Sequence, residues 1–224
     1  MTSEQAQSPD VEQWVEEAQE ENIRPSKSRA VAGSIKAKEF DSILYGPVVD
    51  YSFRKLETLS DCVKLTPRTG LRPNEYTEDK KLKSCSLRLS HNRLSDLSEL
   101  NQLINALFVE PHRLFWIDLS FNRLPNIDPV LVQCTTLQIL NLHGNQIGEL
   151  SEVDKLASLV HLRSLTLHGN PLEQIKGYRS YLVGIIPQLK SLDYSTITKQ
   201  DRSTAAVLKS FTKRKRVARR KYYD

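Results

Sequence analysis

Leu114–Leu124 reads LFWIDLSFNRL, Leu137–Ile147 reads LQILNLHGNQI, and Leu162–Leu172 reads LRSLTLHGNPL. The three stretches share one pattern, L-x-x-L-x-L-x-x-N-x-L. Each places an Asn at the same offset, at Asn122, Asn145 and Asn170. A fourth copy precedes them, with Leu87, Leu89, Asn92 and Leu94, but Ser84 holds its first position. A fifth starts at Leu189 and Leu192, then carries Tyr194 and Ile197 where Leu and Asn are expected. Self-similarity of this kind decides an architecture before any local motif does.

The spacing has a physical meaning. Alternating Leu residues lie on one face of a short strand and point inward. The Asn sits where the strand ends, and its amide can bond backbone groups of adjacent coils. Stacked Asn residues then form a ladder through the core. The pattern therefore predicts an α/β leucine-rich-repeat solenoid, with parallel strands on the concave face and helical or irregular convex segments. Successive Asn residues are 30, 23 and 25 positions apart. The long step needs an insertion, and Leu97, Leu100, Leu103, Ile104, Leu107 and Phe108 follow helical spacing there. Asp96 and Glu99 resemble a capping box for that helix.

Four regions follow. Residues 1–47 form an extension, with a short amphipathic stretch carrying Val11, Trp14, Val15 and Ala18 on one face. Residues 22–45 read as a flexible linker. Residues 48–83 are an N-terminal cap segment, with Leu56, Leu59, Val63 and Leu65 expected to cover the first coil, because an open coil exposes a sheet edge. Residues 84–197 hold the repeats and the terminal cap strand. In residues 198–224, Ala205, Leu208 and Phe211, with Ile197 just before them, suggest a closing helix that starts near Asp201 and runs into a basic tail.

Charge is concentrated at the ends. The net charge is +5. Glu4–Glu21 holds seven acidic residues and no basic one, whereas seven of the nine residues in Lys213–Lys221 are basic. That last segment exceeds the net charge, so the rest of the chain is acidic on balance. Lys213, Arg214, Lys215, Arg216, Arg219, Arg220 and Lys221 suit a nuclear-import or nucleic-acid patch, an acidic protein surface such as tubulin, or a solvated helix end. Cys62, Cys85 and Cys134 have neither metal-finger nor redox spacing, and read as reduced thiols. No apolar run reaches the ~18 residues of a membrane span, and Met1–Asp10 lacks the basic and apolar regions of a secretory signal.

Residues between the inward Leu positions face the concave surface. Arg88, Trp116, Asp118, Phe121, Ile139, Asn141, His143 and His168 are the candidate partner-binding set. Trp116, Phe121 and Ile139 are expected to form one apolar patch inside a polar rim, as protein interfaces do, or to pack against the chain's own segments. His143, His168 and Asp118 invite a metal, but a zinc site needs three or four converging ligands and no further one is evident. Ser, His and Asp occur on the grid without a motif that marks an activated nucleophile. Neither an enzyme nor a cofactor is expected, and neither is a small-molecule substrate or a membrane.

Gly177-Tyr178-Arg179, Pro187-x-Leu189-x-x-Leu192-Asp193 and Asp201-Arg202 resemble the C-terminal cap of a cytosolic repeat class. That class includes the phosphatase-1 regulatory repeat subunit, axonemal dynein light chain 1 and the U2 spliceosomal A-prime protein. Asp50-Tyr51-Ser52-Phe53-Arg54, Pro67-Arg68-Thr69-Gly70-Leu71-Arg72-Pro73, Trp116-Ile117-Asp118-Leu119-Ser120-Phe121-Asn122 and Leu165-Thr166-Leu167-His168-Gly169-Asn170-Pro171 are similar to the leucine-rich repeat-containing protein 51 family, over roughly Val48 to Arg202. The resemblance implies a cytoplasmic repeat protein without assigned catalysis. With the tail charge, it points to a scaffold or adaptor of cytoplasmic, ciliary or axonemal microtubule assemblies, with tubulin or axonemal proteins as partners. Docking of a phosphatase or other enzyme on the concave face, or a nuclear ribonucleoprotein role, are the alternatives.

Overall fold

The computed structural model describes residues 46–70 and 72–220, with side chains to residue 210. Their strands form a seven-stranded sheet in sequence order: β1 (Val49–Asp50), β2 (Ser86–Arg88), β3 (Trp116–Asp118), β4 (Ile139–Asn141), β5 (Ser164–Thr166), β6 (Ser191–Leu192) and β7 (Ser195–Thr196). β1 to β6 pair in parallel, and β6 with β7 is antiparallel. The register is uniform across the coils. Leu87, Ile117, Leu140, Leu165 and Leu192 are in line and fully buried. The expected solenoid is present.

The Asn ladder joins the coils. Asn122 Nδ2 donates to Leu119 O in its own coil and to Leu89 O in the coil before, each at 3.0 Å. Its Oδ1 accepts from Leu94 N at 3.1 Å. Asn145 repeats this with Leu142 O, Leu119 O and Leu124 N. Asn170 does so with Leu167 O, Leu142 O and Ile147 N. Asn92 carries the ladder back to Tyr51 O and accepts from Arg54 N and Leu56 N. Every one of these amides is buried, so each bond also removes a desolvation cost that an unpaired group would carry.

Coil length selects the convex structure. The 30-residue coil has room for an α-helix, α1 (Leu100–Leu107), which buries Leu100, Leu103 and Ile104. The shorter coils use 3₁₀ segments at Pro129–Gln133 and Leu150–Ser158. The expected capping box does not form. Leu100 N bonds Leu97 O in a turn, so the helix starts later and Glu99 becomes its N-cap. Asp96 instead accepts from Ser98, and Glu99 accepts from Ser60 N in the N-terminal cap.

The N-terminal cap differs in detail from expectation. Leu56 and Leu59 are buried, but Val63 is 59 % exposed and Leu65 is also exposed. A 3₁₀ turn at Ser60–Lys64 points Cys62 inward in place of Val63. The segment also supplies β1, so Val49 and Tyr51 finish the core. The outer edge of β1 meets Arg68, whose N donates to Asp50 O at 2.7 Å. Ser84, the polar stand-in for Leu, is satisfied by Pro47 O at 2.6 Å. Burial pushes the Cys62 thiol up to about 12 and Cys134 up to about 11, so both serve as neutral packing groups.

The other end closes through a hairpin and two helices, α2 (Tyr178–Ile185) and α3 (Lys199–Arg220). Asp193 and Tyr194 both have positive φ, the conformation of a two-residue type I′ turn. Asp193 Oδ1 accepts from Leu167 N and His168 N, and Tyr178 Oη donates to Oδ2. One carboxylate thereby finishes the coil where Ile197 replaces the Asn. Arg179 grips Asp201 with two bonds of 2.9 and 3.0 Å. The Arg179 guanidinium and the Thr198 bonds hold the Asp201 carboxyl well below the usual range. Thr198 and Asp201 bond each other's backbone N–H, a reciprocal cap that starts α3. Ala205 is buried against α2, whereas Leu208 is exposed.

Replacing Asn145 with Ala orphans Leu124 N inside the core and removes the second donor from Leu119 O and Leu142 O, which keep Asn122 and Asn170. The expected loss is about 2 kcal/mol of unfolding free energy, read as a lower urea midpoint.

Candidate functional site

The concave face is laid out by the strand register. Ser86, Trp116, Ile139, Ser164 and Ser191 form one row. Asp50, Arg88, Asp118, Asn141 and Thr166 form the next but one. Adjacent strands lie ~4.8 Å apart, so neighbouring side chains touch. Arg88 is the hub. Its guanidinium lies 5.2 Å from the Trp116 ring centre and within 3.5 and 3.7 Å of Asp50 and Asp118. Trp116 is half-buried under that cation, so the chain partly covers its own anchor.

Several expected contact residues sit otherwise. Asp118 is buried, and its carboxylate accepts from Ser120 Oγ at 2.6 Å and Ser120 N at 3.1 Å. It orients Arg88 rather than offering a free charge. Asn141 takes Thr166 Oγ1 at 3.4 Å. Phe121 does not join Trp116 and Ile139. It lies beyond the strand end, in the left-handed conformation with φ 52°, and its ring belongs to another row. Val11, Trp14, Val15 and Lys221 fall outside the described residues. Lys213, Arg214, Lys215, Arg216, Arg219 and Arg220 lie on the continuing backbone of α3.

The row that holds Phe121 is the feature missed from sequence. Phe53, His91 and Phe121 occupy the same left-handed position in successive coils. Their rings stack at centroid distances of 4.2 and 4.4 Å. Arg68 sits 5.6 Å from the Phe53 ring centre at one end. At the other end Phe121 meets His143 edge-on at 5.1 Å, and His143 stacks on His168 at 4.6 Å. Tyr194 stands edge-on to both imidazoles at 5.8 and 5.6 Å. Six rings thus run along the rim from the first strand to the closing hairpin. In the fourth and fifth coils Gly144 and Gly169 take the left-handed position. Gly144 is needed for space: a Cβ there would lie 2.7 Å from the Phe121 ring.

The imidazoles are held differently. His143 is 8 % exposed and has Nδ1 at 2.8 Å from Thr166 Oγ1. Burial, then the neighbouring His168, push its pKa down to about 4. Burial also lowers His91. His168 is more open and has Nδ1 3.3 Å from Asp193 Oδ1. Among the described residues no cluster of three His, Cys, Asp or Glu groups converges as a metal site would. None of the described helices is long and apolar enough to cross a membrane.

The chain's similarities agree with this architecture. The family described as "Leucine-rich repeat" matches residues 86–221. Leucine-rich repeat-containing protein 51 of Rattus norvegicus is 50 % identical over 163 residues, which is 73 % of this chain and 85 % of that protein. The Homo sapiens protein of the same name has the same identity and coverage. Among solved structures, a chain of the Drosophila melanogaster SNF/U2A′ complex is 26 % identical, with 61 % of this chain and 76 % of that chain covered and a TM-score of 0.48.

A histidine with a depressed folded pKa destabilises the fold as it becomes protonated. The unfolded imidazole, near its ordinary 6.5, binds the proton first. Stability is therefore full above about pH 6.5 and is lost as pH falls toward 4. Moving from pH 7.5 to 5 should cost about 2 kcal/mol through His143. His143→Asn should show a correspondingly smaller fall in urea stability over the same interval.

Proposed function

The chain belongs to the leucine-rich repeat-containing protein 51 family, and from that membership we propose that it is a non-catalytic scaffold or adaptor that receives a protein partner on its concave face. The observation that carries this reading is the Arg88–Trp116–Ile139 cluster on three consecutive strands. It has an aromatic anchor, an Arg already oriented by Asp50 and Asp118, and a polar border of Ser86 and Ser164. Trp and Arg carry much of the binding energy at protein interfaces. An Arg held in place before binding loses less freedom when a partner arrives.

We place the protein in cytoplasmic assemblies, and specifically in ciliary or axonemal ones built on microtubules. Two observations favour that setting. The C-terminal cap resembles that of a repeat class that includes an axonemal light chain. The basic segment Lys213–Lys221 complements an acidic surface of the kind tubulin presents. In this arrangement the concave face selects the partner, and the basic end adds attraction that weakens with salt.

Pull-down from ciliated-cell extract, paired with microtubule co-sedimentation, tests both halves. Trp116→Ala should weaken partner capture by at least about tenfold while its far-UV circular dichroism is retained. Deleting residues 213–221 should remove the microtubule pellet fraction and leave concave capture intact. Unchanged capture by Trp116→Ala would defeat the concave reading. A parent chain that never pellets with microtubules would defeat the microtubule setting. Capture of a phosphatase or other enzyme through Trp116, with no effect of the tail deletion, would assign a regulatory-subunit role instead. Salt-sensitive RNA binding lost with the tail would assign a nuclear ribonucleoprotein role.

A further inference from the structure

The rings of the concave face and its rim are unevenly provided with cations. Arg68 stands over Phe53, and Arg88 stands over Trp116. Phe121 and Tyr194 are 46 % and 70 % exposed, and among the described residues neither has a guanidinium or ammonium over its ring. They flank the same pair of imidazoles, Phe121 edge-on to His143, and Tyr194 edge-on to both His143 and His168. Gly144 and Gly169 contribute no side chain between them. Two exposed rings, a stacked imidazole pair and two bare glycines thus share one end of the rim.

The local charge has a definite sign. Asp193 acts on both His143 and Tyr194 and lies 3.3 Å from His168 Nδ1, whereas Asp118 is engaged by Arg88. His143 is buried against His168 and stays uncharged at neutral pH, so it does not offset the Asp193 carboxylate. Electron-rich ring faces in a negative field attract a cation, most effectively within about 6 Å of a ring centre. A planar guanidinium lies flat on a ring face and keeps its edge N–H groups for hydrogen bonds. The two cation–ring contacts among the described residues each use an Arg.

We propose that Phe121, His143, His168 and Tyr194 form a receptor for an arginine side chain of a protein partner, with Asp193 supplying the counter-charge. The inference deepens the protein-binding function above by naming the side chain that the partner presents. It locates a second contact on the rim, in a different row from Trp116. A partner that spans both would place an apolar group against Trp116 and Ile139 and an arginine between Phe121 and Tyr194.

The test needs no partner. The full chain, with ¹³C-labelled aromatic rings, is titrated at low salt and pH 7.5 with the capped tripeptide Gly-Arg-Gly. Parallel titrations use the same peptide with citrulline, which keeps the shape and loses the charge, and with lysine. The Arg peptide should move the Tyr194 and Phe121 ring signals along a saturating curve. The citrulline peptide should bind at least about fivefold more weakly, and the lysine peptide should be intermediate, since a single cation–ring contact has about this strength. Tyr194→Leu and Phe121→Leu replace exposed rings by apolar groups of similar bulk, and each should weaken Arg-peptide binding severalfold while the circular dichroism is unchanged. Equal binding of the Arg and citrulline peptides would overturn the proposal, as would unmoved Tyr194 and Phe121 signals or full binding by both Leu variants. These results are independent of the Trp116 pull-down, so failure of either reading is seen separately.

Discussion

A buried carboxamide bonded to two coils at once is the constraint on which the solenoid depends. Each short strand carries only three residues in register with its neighbour, which is little pairing for a parallel sheet. The chain must then turn away through a tight corner, where strand pairing gives out. Asn122, Asn145 and Asn170 supply the missing bonds, each reaching two carbonyls and one N–H. Because one of the two carbonyls and the N–H lie in the coil before, the ladder fixes spacing and register together. A one-residue slip would turn the Leu faces outward and break every rung. The concave rows, and the ring row at the rim, inherit their order from that registration.

Much of the fold was legible because its signal is periodic. The inward Leu positions, the Asn offset and the long coil with its helix all follow from spacing, and the structure has them in place. What sequence reading missed was aperiodic or disguised. β1 was absent from the expectation because Tyr51 and Arg54 replace Leu and Asn. Yet Val49-Asp50-Tyr51-Ser52-Phe53-Arg54 parallels Ile117-Asp118-Leu119-Ser120-Phe121-Asn122 position by position, and that self-similarity was available. Val63 was expected to cover the first coil, but a 3₁₀ turn puts Cys62 inward in its place.

The candidate site was legible only in part, for a geometric reason. Alternation predicts which strand residues face outward, and so it found Arg88, Trp116, Ile139 and Asn141. It does not predict what happens past the strand end, where φ changes sign. There Phe121 leaves the Trp116 row and joins Phe53 and His91. Burial is equally opaque to alternation. Asp118 and His143 are outward by parity yet covered, because Ser120 and Thr166 bond them. Tyr194 reaches the rim because Asp193 ends the last coil early with its own carboxylate.

The left-handed row has a consequence for how such a surface can change over time. L-residues with a Cβ adopt that conformation at an energetic cost, and glycine does so freely. Phe53, His91 and Phe121 therefore hold rings where the backbone would be easier without them. The ring at 121 further occupies the space that a side chain at 144 would need. The two positions are thus one heritable unit. A substitution at 144 displaces the ring of the preceding coil, whereas the stacked rings of Phe53, His91 and Phe121 tolerate a Cβ at each following step. At that end of the rim, variation is coupled across one coil.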